Sequence, residues 1–145
     1  METLRAGVLG ATGLAGQQVL AALQRHPWFT VEAVAGSPAS SGKTFGDALR
    51  EPSGASRWFA DGPPDPSVLE LPCLVAEDLL TRPLDLLFSA VPREVAPESE
   101  PRFASNHPRF STASPSRYEP DVPRPARGHN DATAQPNHAR RPPTA

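Results

Sequence analysis

Apolar and polar positions alternate in blocks along the first three-quarters of the chain. Leu4-Arg5-Ala6-Gly7-Val8-Leu9 is a short strand that runs directly into Gly10-Ala11-Thr12-Gly13-Leu14-Ala15-Gly16. Gln17 to Gln24 follows as a helix, because Val19, Leu20 and Leu23 recur at helical spacing on one face. Pro27 ends it. Thr30 to Ala35 is β-branched and apolar, a second strand, and Gly36 to Gly46 is a loop rich in Gly, Ser and Pro. Residues 47–67 read as mostly irregular, anchored by Trp58 and Phe59. Leu74-Val75 suits a short strand and Ala76 to Leu80 a helical turn. Leu84 to Val91 is a near-continuous apolar run, as expected of a strand covered on both faces. Pro92 suits a first helical position, opening a helix through Arg93, Glu94 and Val95 that Pro97 and Pro101 shorten or kink. Arg109 to Thr112 is a weak last strand. Strands alternating with helical segments predict an α/β fold with a mostly parallel sheet.

Composition changes this picture chiefly at the C-terminal end. The 145 residues have room for one ordinary domain and are 38% apolar. Residues 124–145 contain no Val, Ile, Leu, Met, Phe, Tyr or Trp, so the core must come from residues 1–123. The expected organisation is a partial domain over 1–123 and a disordered tail over 124–145. A net charge of −2 gives no reason to expect nucleic acid or an anionic membrane as partner. One cysteine, Cys73, excludes an internal disulfide. No targeting segment or membrane span is visible, so a cytoplasmic location is the default expectation.

The glycine-rich turn carries the chemistry. Gly10, Gly13 and Gly16 follow a strand and open a helix, the context in which a nucleotide pyrophosphate is bound. The first glycine permits a tight turn, the second a close approach of backbone N–H groups to phosphate, and the third the packing of helix on strand. The helix N-terminus adds unpaired donors and partial positive charge. This is the signature of a Rossmann-like dinucleotide site. At the end of the second strand, an NAD site usually carries an Asp or Glu for the ribose hydroxyls. Here Gly36 and Ser37 stand there instead, with Ser40, Ser41 and Lys43 beyond. Hydroxyls plus an ammonium favour a 2′-phosphate, hence NADP over NAD.

Several blocks in order then resemble the N-terminal domain of aspartate-semialdehyde dehydrogenase, in its archaeal and fungal branch. They are Gly10 to Gln17, His26-Pro27-Trp28-Phe29, Ala35-Gly36-Ser37 to Gly42-Lys43-Thr44-Phe45-Gly46-Asp47, Phe88 to Ala96, and Ser111 to Ser114 with Arg117 and Asp121-Val122-Pro123. The resemblance implies NADP-dependent reductive dephosphorylation of aspartyl phosphate, a step of lysine, threonine and methionine synthesis, in enzymes that are homo-oligomers. By that analogy Thr12, Gly13, Leu14 and Ala15 line the phosphates, and Ser37, Ser40 and Lys43 face the adenosine phosphate. Ser89, Ala90 and Val91 lie beside the cofactor and Ser114 near its nicotinamide end. Thr112 departs from the family's usual Asn. N-acetyl-glutamyl-phosphate reductase shares the glycine turn and the His-Pro. Trp28-Phe29 and the Gly42 to Asp47 block argue for the aspartate enzyme. A non-enzymatic nucleotide-binding remnant is the third alternative.

The family's thioester-forming cysteine, acid/base histidine and substrate arginines lie downstream of the Asp-Val-Pro stretch, and nothing after Pro123 resembles them. The change in character there suggests a shifted frame or a truncation, with a natural disordered extension as the alternative. No catalytic residue and no metal ligand is therefore assigned. Without the family's later strands and helix, one sheet edge and one face should be open and the fold marginal. Cys73 reads as a partly buried, inert thiol. His26 suits the terminal carbonyls of the first helix, Asp85 a solvated strand edge, and His107, His129 and His138 have no metal-ligand spacing.

Overall fold

The computed structural model describes residues 2–104 and 106–112. Five strands, β1 (Leu4–Leu9), β2 (Phe29–Ala35), β3 (Cys73–Leu74), β4 (Leu86–Ser89) and β5 (Arg109–Ser111), form one parallel sheet in the order β3-β2-β1-β4-β5. This is the α/β, Rossmann-like architecture the residue pattern predicts. The order reverses at β1, with β2 on one side and β4 on the other, so the ends of β1 and β4 form the topological switch point where ligands bind in such sheets. The register of β1 against β2 shifts once, between Ala6 and Gly7.

Helix α1 (Leu14–Leu23) packs on one face of the sheet. It starts three residues earlier than its apolar spacing indicates, because the end of the glycine turn is already its first turn. Its Leu20 and Leu23 are buried with Val8, Val34 and Leu86, each large side chain contributing roughly 1.5–3 kcal/mol on burial. The opposite face buries Leu9, Leu79, Leu87 and Phe103. Two short helices lie in the stretch expected to be loop or irregular. In α2 (Phe45–Ala48) the Thr44 hydroxyl accepts from the Asp47 N–H, and in α3 (Pro66–Leu69) Asp65 caps Ser67, with proline at the start. Helix α4 (Ala76–Leu79) begins immediately after β3, with Val75 as its cap instead of a strand residue.

Helix α5 (Ala96–Ala104) differs most from expectation. Pro92 closes a turn, its carbonyl accepting from the Val95 and Ala96 N–H groups, and the helix forms beyond it with Pro101 inside. Ala96, Glu100 and Phe103 recur at helical spacing and are all buried, so packing outweighs the proline's missing hydrogen bond. Asp85 does not stand alone at the strand edge. Its carboxylate accepts from the Arg5 backbone N–H at 2.7 Å and from the guanidinium at 3.2 Å, which holds its carboxyl below the ordinary aspartate range. Ser114, the Asp121-Val122-Pro123 stretch and residues 124–145 lie outside the described residues.

Candidate cofactor site

A cleft of about 870 Å³ opens at the C-terminal ends of β1, β2 and β4. Its floor is the glycine turn, where the N–H groups of Gly10 and Ala11 both donate to the Ala35 carbonyl at 2.9 Å and tie the turn to β2. Gly10 has φ +77°, and a Cβ there would lie 2.6 Å from the Ala90 carbonyl oxygen. A Cβ at Gly16 would overlap the Gly10 carbonyl oxygen, so α1 could not seat on the turn. The protein's own packing thus demands two of the three glycines.

Gly13 is different. Its backbone is ordinary extended (φ −82°, ψ 166°), and a Cβ would meet only the Gly10 oxygen at a normal 3.5 Å. It caps α1 without any side-chain hydrogen bond, and the first turn carries no acid. The leading N–H groups of a ten-residue helix are therefore presented without a side-chain acceptor, in the cleft that Gly13 lines.

Of the residues singled out in the sequence, Gly10, Thr12, Gly13, Leu14, Ala15, Ser37 and Ala90 are brought together around this cleft. Ser40 and Lys43 do not line it; they sit in the loop that continues from Ser37 and Pro38. Ser89 does not line it either. That side chain is buried and its hydroxyl donates to the Glu100 carboxylate at 2.8 Å. Glu100 also accepts from the Ser111 hydroxyl, with the Arg109 guanidinium 3.8 Å away, so a buried carboxylate joins the ends of β4 and β5. Thr112 reaches the cleft, and its hydroxyl donates to the Ser89 carbonyl at 3.3 Å.

The walls are helical. Val75, Ala76 and Leu80 at and around α4, with Val91, Val95 and Phe103 before and within α5, line an apolar slot. Arg102 lies across it, 3.9 Å from Glu77 on α4 and 3.8 Å from Glu98 on α5. Local spacing does not single out Arg102 in the cleft or Glu100 behind it. Gln17 alone had a signal: it precedes Leu20 by three residues, which places a polar group on the buried stripe of α1.

The remaining candidates lie elsewhere. Cys73 is buried, lines no part of the cleft, and burial pushes its thiol pKa up, away from the thiolate a nucleophile needs. The His26 ring accepts from the Trp28 N–H at 3.2 Å and packs on Phe29, instead of meeting the carbonyls of α1. The His107 ring contacts the Leu84 carbonyl and does not line the cleft. Among the described residues no group of three His, Cys, Asp or Glu could hold a metal, and no helix is long and apolar enough to cross a membrane.

Comparison with known proteins agrees with this geometry. Residues 5–126 match the family model described as semialdehyde dehydrogenase, NAD binding domain. Aspartate-semialdehyde dehydrogenase of Methanothermobacter thermautotrophicus is 38% identical over 117 residues, covering 81% of this chain and 32% of the relative. Malonyl CoA reductase (NADP) of Metallosphaera sedula is 31% identical over 123 residues, covering 84% and 32%. Among solved structures, aspartate semialdehyde dehydrogenase with NADP from Candida albicans superposes with a TM-score of 0.71 at 29% identity, covering 84% of this chain and 33% of that one. The chain thus spans about a third of the length of the curated relatives it matches. Its residue pattern, its switch-point cleft and these matches together make it a member of the semialdehyde dehydrogenase family, corresponding to that family's NAD-binding domain.

Proposed function

We propose that this chain is the NADP-binding part of an aspartate-semialdehyde dehydrogenase, and that its own residues bind and orient the dinucleotide without performing the acyl chemistry. The observation that carries the reading is Gly13. Nothing in the protein's packing requires a glycine there, yet the residue sits at the uncapped start of α1 and faces the cleft. A pyrophosphate approaching the backbone accounts for it. In this reading Thr12, Gly13, Leu14 and Ala15 hold the pyrophosphate. The slot between α4 and α5 takes the adenine, and Ala90 and Thr112 flank the path towards the nicotinamide. When bound, the cofactor would supply hydride.

The preference for NADP rests on the end of β2. Ser37 lines the cleft, and no carboxylate stands at that strand end to repel a 2′-phosphate. Ser40 and Lys43 follow in the same loop and would add a hydroxyl and a positive charge to that side. Two relatives, an aspartate semialdehyde dehydrogenase solved with NADP and malonyl CoA reductase (NADP), point the same way. No thiol or imidazole is among the described residues that line the cleft. The malonyl CoA reductase match supports a second reading of the substrate, because the same nucleotide-binding part there serves a different acyl group.

Fluorescence titration tests the cofactor claim. NADPH should bind with a measurable enhancement and NADH several-fold more weakly. No NADPH signal at millimolar concentration, from a chain whose circular dichroism shows a folded α/β domain, would overturn it.

A further inference from the structure

We propose that Gln17 is a positioning residue for the phosphate-facing turn, acting through the Thr12 carbonyl and coupling the turn to the 57–59 segment behind α1. Gln17 is the fourth residue of α1, directly after Gly16, and is 1% exposed. All the hydrogen-bonding capacity needed at this point is in its amide. The Nε2 group donates to the Thr12 carbonyl at 3.1 Å and to the Arg57 carbonyl at 2.9 Å. Its Oε1 accepts from the Phe59 N–H at 2.7 Å. The three backbone partners present two acceptors and one donor, and among side chains of this length only a neutral carboxamide answers with two donors and an acceptor.

The geometry gives the bond a consequence beyond holding α1 in place. Thr12 lies between Ala11, whose N–H is fixed on Ala35, and Gly13, whose N–H donates to Gly10. Pulling the Thr12 carbonyl inwards onto Gln17 fixes the peptide between Thr12 and Gly13, and so the direction in which the next N–H groups point. The far side of the clamp is also fixed: the Arg57 N–H donates to Leu49 at 2.7 Å, and Trp58 Nε1 donates to Gly62 at 2.8 Å. The turn is thus referenced to a segment that touches no part of the cleft. In its binding consequence this proposal rests on the cofactor reading above.

The test uses the full chain with Gln17→Leu, Gln17→Glu and a control, Leu23→Ala, which opens a cavity at the far end of the same helix. Gln17→Glu keeps the acceptor for Phe59 and loses both donors. Both Gln17 variants should raise the Kd for NADPH by roughly tenfold or more, the effect of freeing one buried carbonyl at the turn. They should also speed amide hydrogen exchange in residues 10–16 and 57–59 of the unliganded chain. The control should bind as wild type does, despite a lower melting temperature. Wild-type affinity in either Gln17 variant, or equal weakening in all three, would overturn the proposal. If wild type itself fails to bind NADPH, the cofactor reading falls, and the exchange data alone decide: unchanged exchange at 10–16 refutes the clamp. If neither Gln17 variant folds, the residue is a folding determinant and the positioning role is refuted.

Discussion

At the scale of single residues, the three glycines of one turn serve different masters. Gly10 is required by its left-handed backbone and by Ala90, Gly16 by the Gly10 carbonyl, and Gly13 by neither. Gly16→Ala should therefore unfold the domain or displace α1, visible as loss of cooperative melting, since a Cβ cannot share space with a backbone oxygen. Gly13→Ala should leave the melting temperature within a few degrees of wild type and weaken NADPH binding by roughly tenfold, because the methyl group stands where phosphate approaches the backbone. Equal losses of stability in the two variants would contradict this division. The sequence motif shows where the glycines are; only the contacts show which of them answers to a ligand.

Individual elements show how far local pattern reaches. Strands β1 and β2 were legible almost to the residue, because apolar β-branched runs bounded by Gly and Pro leave few alternatives. Helix α5 was not, since the helix expected to open at Pro92 and to be shortened or kinked by Pro97 and Pro101 forms instead over Ala96–Ala104, with Pro101 inside it. What the prolines conceal is a buried stripe of Ala96, Glu100 and Phe103, whose value depends on β4 and β5 being present. The cleft follows the same division. Its turn residues were readable from spacing, whereas the walls from α4 and α5 are set by tertiary packing. Ser89 exemplifies the difference: the family resemblance puts it beside the cofactor, while its hydroxyl is committed to Glu100. Pro101 itself is exposed, so Pro101→Ala should restore an interior hydrogen bond and remove a steric conflict at no loss of buried surface. We expect stabilisation of about 1–3 kcal/mol, measured by urea denaturation with an unchanged m-value. A neutral or destabilising result would mean that the helix is built around the proline.

For the molecule as a whole, the sheet has two unequal sides. Around α1 one face is buried, but further along that face runs an aromatic row. Phe29 meets Phe88 edge-on at 5.8 Å, and Phe88 stacks on Phe110 at 5.7 Å. Phe110 is 57% exposed on β5, and no described strand pairs beyond it. Exposed aromatic surface on the outermost described strand favours association between molecules. The chain should therefore show concentration-dependent association by sedimentation, and Phe110→Lys should shift it towards monomer while leaving the far-ultraviolet circular dichroism unchanged. Association identical in the variant would place the sticky surface elsewhere, with Trp28 and Phe59, also exposed, as the next candidates.

The indifference of the fold to Gly13 has a historical consequence. Substitutions at Gly10 or Gly16 are purged by folding whatever the protein does, so those positions record only that the domain still exists. Position 13 records use. In a lineage that keeps the scaffold but abandons the nucleotide, side chains should accumulate there first, and a survey of that one site would date the loss of binding before any change in shape could reveal it.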